Sequence, residues 1–445
     1  MVEAFPTNLS SEMHNDAIGS SPVMTLYDEF FGVLSAISPT FEHSTEDILF
    51  IELPSKFHST ILDLIRSSKD KLYISSLYIG CSATKGDDLS KQIISALREK
   101  LATTENENFT LKILVDDTRS ARALDNSTVV LEALKDDFPH LQVEVHPIVV
   151  SESFFSRSMG RFFRKSEAIS RLQHMKYIVS DDNVLLTGAN LSEEYFTTRK
   201  DRYVLIKNAK PLASFYSQLT TLVIEATCQM PPPRKEIRDK FLDLLQLKSS
   251  ENKPAFETRG DKVYLFPSLQ MSWLGIRHEE ALITTLLGMA RNLGLQIHMS
   301  TAYFNLAPVI QRYFSGEYFS SPDPMKATKT QAPLSPTNAD AKARPIPHLS
   351  SIITAAPSCS GFFNAQWPKS LIPDIYENLY EQFASNLKEK DISNFELLQY
   401  QRPGWTYHAK GIFLAHNGSV FLTQIGSSNY GILLRVNPIR RKVFR

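Results

Sequence analysis

The feature that most constrains this chain is an arrangement of residues that occurs twice. HMKYIVSDDNVLLTGAN (174–190) and YHAKGIFLAHNGSVFLTQIGSSN (407–429) each place a His two residues before a Lys. Each then has an apolar run, a polar turn and a second apolar run, and closes on a small-residue cluster ending in Asn. Strand period two puts His174 with Lys176, and His408 with Lys410, on one face. The turns are SDDN and HNGS, and Asn417-Gly418 is a favoured hairpin dipeptide. The return strands bring Asn190 and Asn429 back beside their histidines. Each half therefore offers an imidazole, an ammonium and an amide at one edge of a sheet.

The parts upstream repeat as well. In the first half KLYISSLYIG (71–80), LKILVDD (111–117) and LQVEVHPIVV (141–150) read as strands, with helical periodicity over 88–101 and 128–134. In the second half LQIHMSTAYFN (295–305) and SIITAAPSCSGFFN (351–364) occupy the corresponding places, followed by a helical pattern over 375–387. Strands alternating with helices predict an α/β fold of two tandem lobes related by a pseudo-twofold axis, with a site at their interface. The expected boundaries are an N-terminal extension 1–47, a first lobe 48–245, a polar linker 246–258, a second lobe 259–431 and a basic tail 432–445. Within the second lobe, 321–350 holds six prolines and almost no large apolar residue, which predicts a disordered insertion.

Composition narrows the functional classes. At 445 residues with 42% hydrophobic content the chain can bury a large core, and two lobes are expected at this length. Lys plus Arg and Asp plus Glu both number 48, so no global field favours a polyanion, which argues against a nucleic-acid partner. Cys81, Cys228 and Cys359 lie far apart, excluding a disulfide framework or zinc knuckle and fitting a reducing compartment. No apolar run approaches the roughly 20 residues that cross a bilayer. MTLYDEFFGVLSAI (24–37) is interrupted by Asp28 and Glu29, and the first arginine is Arg66, so neither a secretory signal nor a transit peptide is legible. FFSRSMGRFFRK (154–165), wound as a helix, separates Phe from Arg and suits peripheral contact with an anionic membrane, although such a face equally fits packing on a core. The segment 80–85 lacks the glycine spacing of a phosphate loop.

Two imidazoles and two ammonium groups suit phosphodiester substitution through a covalent intermediate. One neutral His attacks phosphorus and the other, as imidazolium, protonates the leaving oxygen, while Lys and Asn donors stabilise the non-bridging oxygens. The unperturbed His pKa of about 6.5 lets both protonation states exist near neutrality. The chemistry calls for no metal and no cofactor.

The duplicated HxK...N pattern resembles the phospholipase D superfamily. GANLSEEYFTTRKDRYV (188–204), STAYFN (300–305), GFFNA (361–365), GWTYHAKG (404–411) and IGSSNYG (425–431) are similar to its eukaryotic CDP-diacylglycerol–glycerol-3-phosphate 3-phosphatidyltransferase branch, over about residues 48–431. The resemblance implies CDP-diacylglycerol and glycerol 3-phosphate as substrates, CMP release on the path to phosphatidylglycerol and cardiolipin, and a peripheral place at the mitochondrial inner membrane. Carried over, it implies catalytic roles for His174, Lys176, Asp181, His408 and Lys410, with His174 as nucleophile and His408 as acid and then base, roles that could be exchanged. Asn190, Asn429 and Ser427 are the phosphate-binding candidates. Two departures stand out. Ala415 occupies the place of the second motif's Asp, and after His408 no Asp or Glu follows, whereas Asp201 follows His174. The expectation is that the second imidazole lacks a carboxylate. A hydrolytic phosphodiesterase of the same superfamily, or a catalytically impaired or truncated relative, is the alternative.

Overall fold

The structure is a computed structural model that describes residues 22–80, 89–120, 127–148, 173–228, 234–246, 261–315, 349–367, 369–393 and 395–430. The Phe154–Lys165 segment, nearly all of the Pro-rich stretch, the loop after Gly80, most of the linker and the basic tail lie outside the described residues.

The first half forms β1 (Phe41–Ser44), followed by the more apolar β2 (Ile48–Ile51), β3 (Lys71–Ser75), β4 (Thr110–Asp116) and β5 (Gln142–Ile148). They are followed by β6 (Tyr177–Ser180), β7 (Asn183–Thr187), β8 (Arg199–Lys200) and β9 (Tyr203–Ile206). Seven of these make one sheet in the order β2-β9-β7-β6-β3-β4-β5. The second half begins with β10 (Lys262–Leu265) and a small ribbon of β11 (Gln270–Met271) and β12 (Ile276–Arg277). It continues through β13 (Gln296–Ser300), β14 (Ser350–Ala355), β15 (Phe395–Tyr400), β16 (Thr406–Tyr407), β17 (Gly411–His416) and β18 (Ser419–Ile425). Here the sheet order is β15-β14-β13-β17-β18.

The same five-strand order thus occurs twice. β3 runs parallel to β4 and antiparallel to β6, as β13 does to β14 and β17. β6-β7 and β17-β18 are the two hairpins read from the sequence. Asp181 at φ 52° and Asn417-Gly418 at φ 50° and 82° supply the left-handed backbone those tight turns require. Parallel neighbours need a crossover, and the helix Leu89–Thr103 supplies the one between β3 and β4. Its Ile93, Leu97 and Leu101 recur every four residues and enter the core beneath β3 and β4, whose Leu72, Ile74, Leu111 and Ile113 are fully buried. At about 25 cal/mol per Å² of apolar surface removed from water, such stripes are what make the layers adhere.

Two readings from sequence shift at their edges. Ser350 belongs to β14, so that strand begins inside the stretch expected to be disordered, and it ends before Pro357, where a 3-10 turn follows. The N-terminal residues also do not stand apart. The helix Pro22–Ile37 sends Leu26, Phe30 and Leu34 into the core of the second sheet, with the Phe30 ring 5.2 Å from Phe421. β1 then pairs antiparallel with β10, and β2 joins the first sheet beside β9. From Pro22 onward the described chain thus starts on the second half, crosses to the first, and returns.

Candidate active site

The two sheets meet through a very short ladder. β8 and β16 run parallel with Thr406 opposite Arg199 and Tyr407 opposite Lys200. The backbone N–H of Thr406 donates to the Thr198 carbonyl at 3.0 Å and that of His408 to the Lys200 carbonyl at 2.8 Å. That register brings the next residues on the two strands together. His408 Nδ1 donates to Asp201 Oδ2 at 2.6 Å, which fixes the tautomer and leaves Nε2 with its lone pair. The Tyr195 hydroxyl lies 3.4 Å from Nε2 and accepts from Asn190 Nδ2 at 3.1 Å. A Cβ on Gly188 would stand 2.6 Å from Asp201 Oδ1 and 3.2 Å from the Gly426 carbonyl, so the small-residue clusters of both halves are what let the seam close.

The two HxK copies are built alike. Lys176 Nζ donates to the His174 carbonyl at 3.0 Å, and Lys410 Nζ donates to the His408 carbonyl while also crowding His408 Nδ1. Ser75, ending β3, donates to the Met175 carbonyl at 3.1 Å, and Ser300, ending β13, to the Ala409 carbonyl at 2.9 Å. Each serine clamps the residue between its His and Lys. The pairs sit just before β6 and β17 rather than within them, at the carboxyl ends of the parallel strands, where open α/β sheets place their ligands.

Electrostatics tie the copies into one site. Burial first, and then the charges of Lys176, Lys410 and His408, hold His174 well below its usual value, so the imidazole is neutral. Burial and Lys410 depress His408 to about 3, against the pull of Asp201. Burial also lowers Lys410 to about 8 and Lys176 well below the ordinary lysine range, each opposed by Asp201. Burial alone would raise Asp201, but Lys410 and His408 outweigh it and the carboxylate stays low. The site thus gathers two lysines and two imidazoles around the Asp201 carboxylate, donors suited to a polyanion. Among the described residues no cluster of three or more His, Cys, Asp or Glu side chains could hold a metal ion.

Of the candidates, His174, Lys176, His408, Lys410 and Asn190 converge. Asp181 does not join them. It lies in the turn at the far end of β6, where its carboxylate accepts the backbone N–H groups of Lys69, Asp70 and Lys71 at 2.8–3.0 Å. Its job there is to tie β6 to the start of β3. The expectation of an unsupported second imidazole is also corrected. Asp201 serves His408 across the seam, because the ladder sets that register, and it is the His174 ring that has no hydrogen-bond partner among the described residues.

Asn190 Oδ1 and Asn429 Oδ1 are buried with no protein partner, one from each half. Rotating either amide exchanges its oxygen for NH₂, so both offer a donor to an anion. Ser427 is half-buried in the seam, and it is the neighbouring Ser428 that donates to Glu279, at 2.6 Å.

Sequence reasoning missed three site residues. Glu279 is a buried carboxylate raised by burial. Tyr195 and Arg199 form a pair, the guanidinium 4.6 Å over the ring and its Nε donating to Thr406 at 3.0 Å. The Tyr195 and Arg199 signal was in the quoted EEYFTTRKDRY run. Glu279 opens a helix with no motif to mark it.

No family model matches the chain. The CDP-diacylglycerol–glycerol-3-phosphate 3-phosphatidyltransferase of Gallus gallus is 27% identical over 88% of this chain and 73% of its own length. The Homo sapiens protein of that description is 28% identical, covering 88% and 72%, and a Dictyostelium discoideum protein described as a probable enzyme of this kind is 26% identical, covering 92% and 70%. Among solved structures, phosphatidylserine synthase from Haemophilus influenzae superposes with a TM-score of 0.57 at 18% identity, over 87% of this chain and 80% of that one. That likeness shows a shared fold.

Proposed function

We propose that this chain, which is a relative of the CDP-diacylglycerol–glycerol-3-phosphate 3-phosphatidyltransferases, moves the phosphatidyl group of CDP-diacylglycerol onto sn-glycerol 3-phosphate, releasing CMP. The observation that carries the reading is the seam itself: His408 from one half held by Asp201 from the other, with the charges of the second HxK pair acting on His174. Residues 48–245 and 259–431 are read as the two lobes whose edges make this seam, placed about a pseudo-twofold axis.

In the proposed sequence the neutral His174 ring attacks the phosphatidyl phosphorus, forming an N–P bond as the P–O bond to CMP breaks. His408, protonated once the diphosphate's negative charge has entered the site, gives its proton to the departing CMP oxygen. His408 then takes the proton of the primary hydroxyl of glycerol 3-phosphate as that oxygen displaces His174. Asp201 holds the His408 ring and stabilises its charged form. Lys176, Lys410, Asn190, Asn429 and Ser427 contribute donors to the phosphoryl oxygens. Burial first, and then the neighbouring cations, depress the two lysines, and an anionic substrate would favour their charged forms.

The relatives from vertebrates are described as mitochondrial, which supports a mitochondrial location, and we place the chain peripherally at the inner membrane. No helix among the described residues is long and apolar enough to cross a membrane.

Incubation with labelled CDP-diacylglycerol, with and without glycerol 3-phosphate, tests the reading. Acceptor-dependent phosphatidylglycerophosphate supports it, whereas acceptor-independent phosphatidic acid would point to the hydrolytic alternative, and no turnover to an impaired relative.

A further inference from the structure

Exposed large apolar side chains are unevenly spread over the described residues. Four of eleven, Phe363, Trp367, Leu371 and Ile375, fall in one short stretch leading into the helix Ile372–Glu389, exposed by 51%, 79%, 47% and 54%. Isolated exposed apolar residues need no explanation, but a cluster containing a nearly free indole does.

This stretch is the outer lip of the site. The Phe362 ring lies 5.6 Å from Tyr303, Tyr376 stacks on Tyr303 at 5.3 Å, and Tyr303 presents its edge to His408 at 6.0 Å. The exposed rim is therefore two rings from an imidazole of the reaction. Charges of both signs stand with it. Lys369 lies exposed inside the stretch, and Arg402, its backbone N–H on Cys359 Sγ at 3.2 Å, carries its guanidinium 3.9 Å over Trp405. Asp374 and Glu381 are exposed carboxylates of the helix Ile372–Glu389, and Glu377 accepts from Gln399 Nε2 at 2.7 Å. Apolar side chains with an indole among them, on the lip of a site read as taking a lipid diphosphate, match the headgroup boundary of a phospholipid bilayer.

We propose that the Phe363–Ile375 rim seats in the surface of a phospholipid bilayer, so that a lipid diphosphate reaches His174 and His408 while its acyl chains remain in the bilayer. The inference rests on the lipid-substrate reading above. A second copy of this chain or another protein is the competing occupant.

The test is flotation of the full chain with vesicles of phosphatidylcholine, with and without phosphatidylglycerol, for wild type, Trp367→Asp and Phe363→Asp/Ile375→Asp. Transfer is assayed in parallel on a short-chain, monomeric CDP-diacylglycerol without vesicles. The expected result is roughly 10- to 100-fold weaker partitioning of the variants onto phosphatidylglycerol vesicles, with transfer to monomeric substrate unchanged, which also certifies that the variants fold. Variants that float as well as wild type while transferring normally overturn the rim and leave the function intact. Loss of a dimer by gel filtration, with vesicle binding unchanged, assigns the rim to a second copy and equally overturns it. A wild type that binds vesicles through this rim but transfers nothing from the monomeric substrate contradicts the function and leaves the surface standing.

Discussion

Asp201 and His408 lie 207 residues apart in sequence and 2.6 Å apart in space, one from each half of the chain. The two-residue ladder of β8 and β16 sets this contact, and slipping it by one residue would turn one of the two side chains away. In the proposed reaction the docking of the two halves is thereby what assembles the acid–base group.

Asp201→Asn tests that contact directly. The amide keeps the shape but can offer its NH₂ to Nδ1, favouring the wrong tautomer, and leaves Lys410 without its nearby carboxylate. The expected outcome is a loss of about 10²- to 10⁴-fold in single-turnover CMP release from a folded protein. Release within a few-fold of wild type would contradict the orienting role.

Gly188→Ala should act on the same carboxylate from the other side. A Cβ there would stand 2.6 Å from Asp201 Oδ1, too close for either group to remain in place. The expected result is a fall in activity of roughly 10- to 100-fold with the unfolding midpoint little changed. A large fall in stability instead would show that the seam, rather than the carboxylate, gives way.

Asp181→Asn should separate from both. Asn tolerates the positive φ of 52° but replaces one acceptor oxygen with a donor facing three backbone N–H groups. A loss of about 1–3 kcal/mol in urea unfolding is expected, with turnover per folded molecule unchanged. A collapse of turnover at undiminished stability would return Asp181 to the chemistry.

How far the sequence foretold this arrangement depends on the range of each interaction. The two hairpins were legible because their signals are local: alternating apolar residues, an Asn-Gly turn, a His two before a Lys. The convergence of His174 with His408 followed from duplication. The Asp201–His408 pairing was not legible, because which carboxylate serves which imidazole depends on a ladder of two residues whose strands carry no periodicity. Asp181 misled for the opposite reason. Its regular spacing from His174 is real, but four residues of strand carry it to the other end of β6. The N-terminal helix showed its apolar stripe, yet nothing local says that Phe30 packs on Phe421 in the other half.

Burial and Lys410 depress His408 to about 3 in the folded chain, whereas an unfolded His titrates near about 6.5. Between those values the unfolded state binds the extra proton, so this contribution to stability is complete above pH about 6.5 and is lost as pH falls toward about 3. Thermal unfolding of wild type and His408→Gln across that range should show the wild type losing stability more steeply on acidification. Parallel curves would contradict a buried neutral imidazole.

Mapping of the covalent intermediate is the most direct test of the central claim, that imidazoles from two halves act on one phosphorus. Enzyme incubated with CDP-diacylglycerol labelled in the phosphatidyl phosphate, without glycerol 3-phosphate, is quenched at alkaline pH and its labelled peptide sequenced. The account predicts label on His174, absent in His174→Ala and formed slowly in His408→Ala. Label on a residue outside the two HxK pairs, or undiminished labelling in His174→Ala, would contradict it.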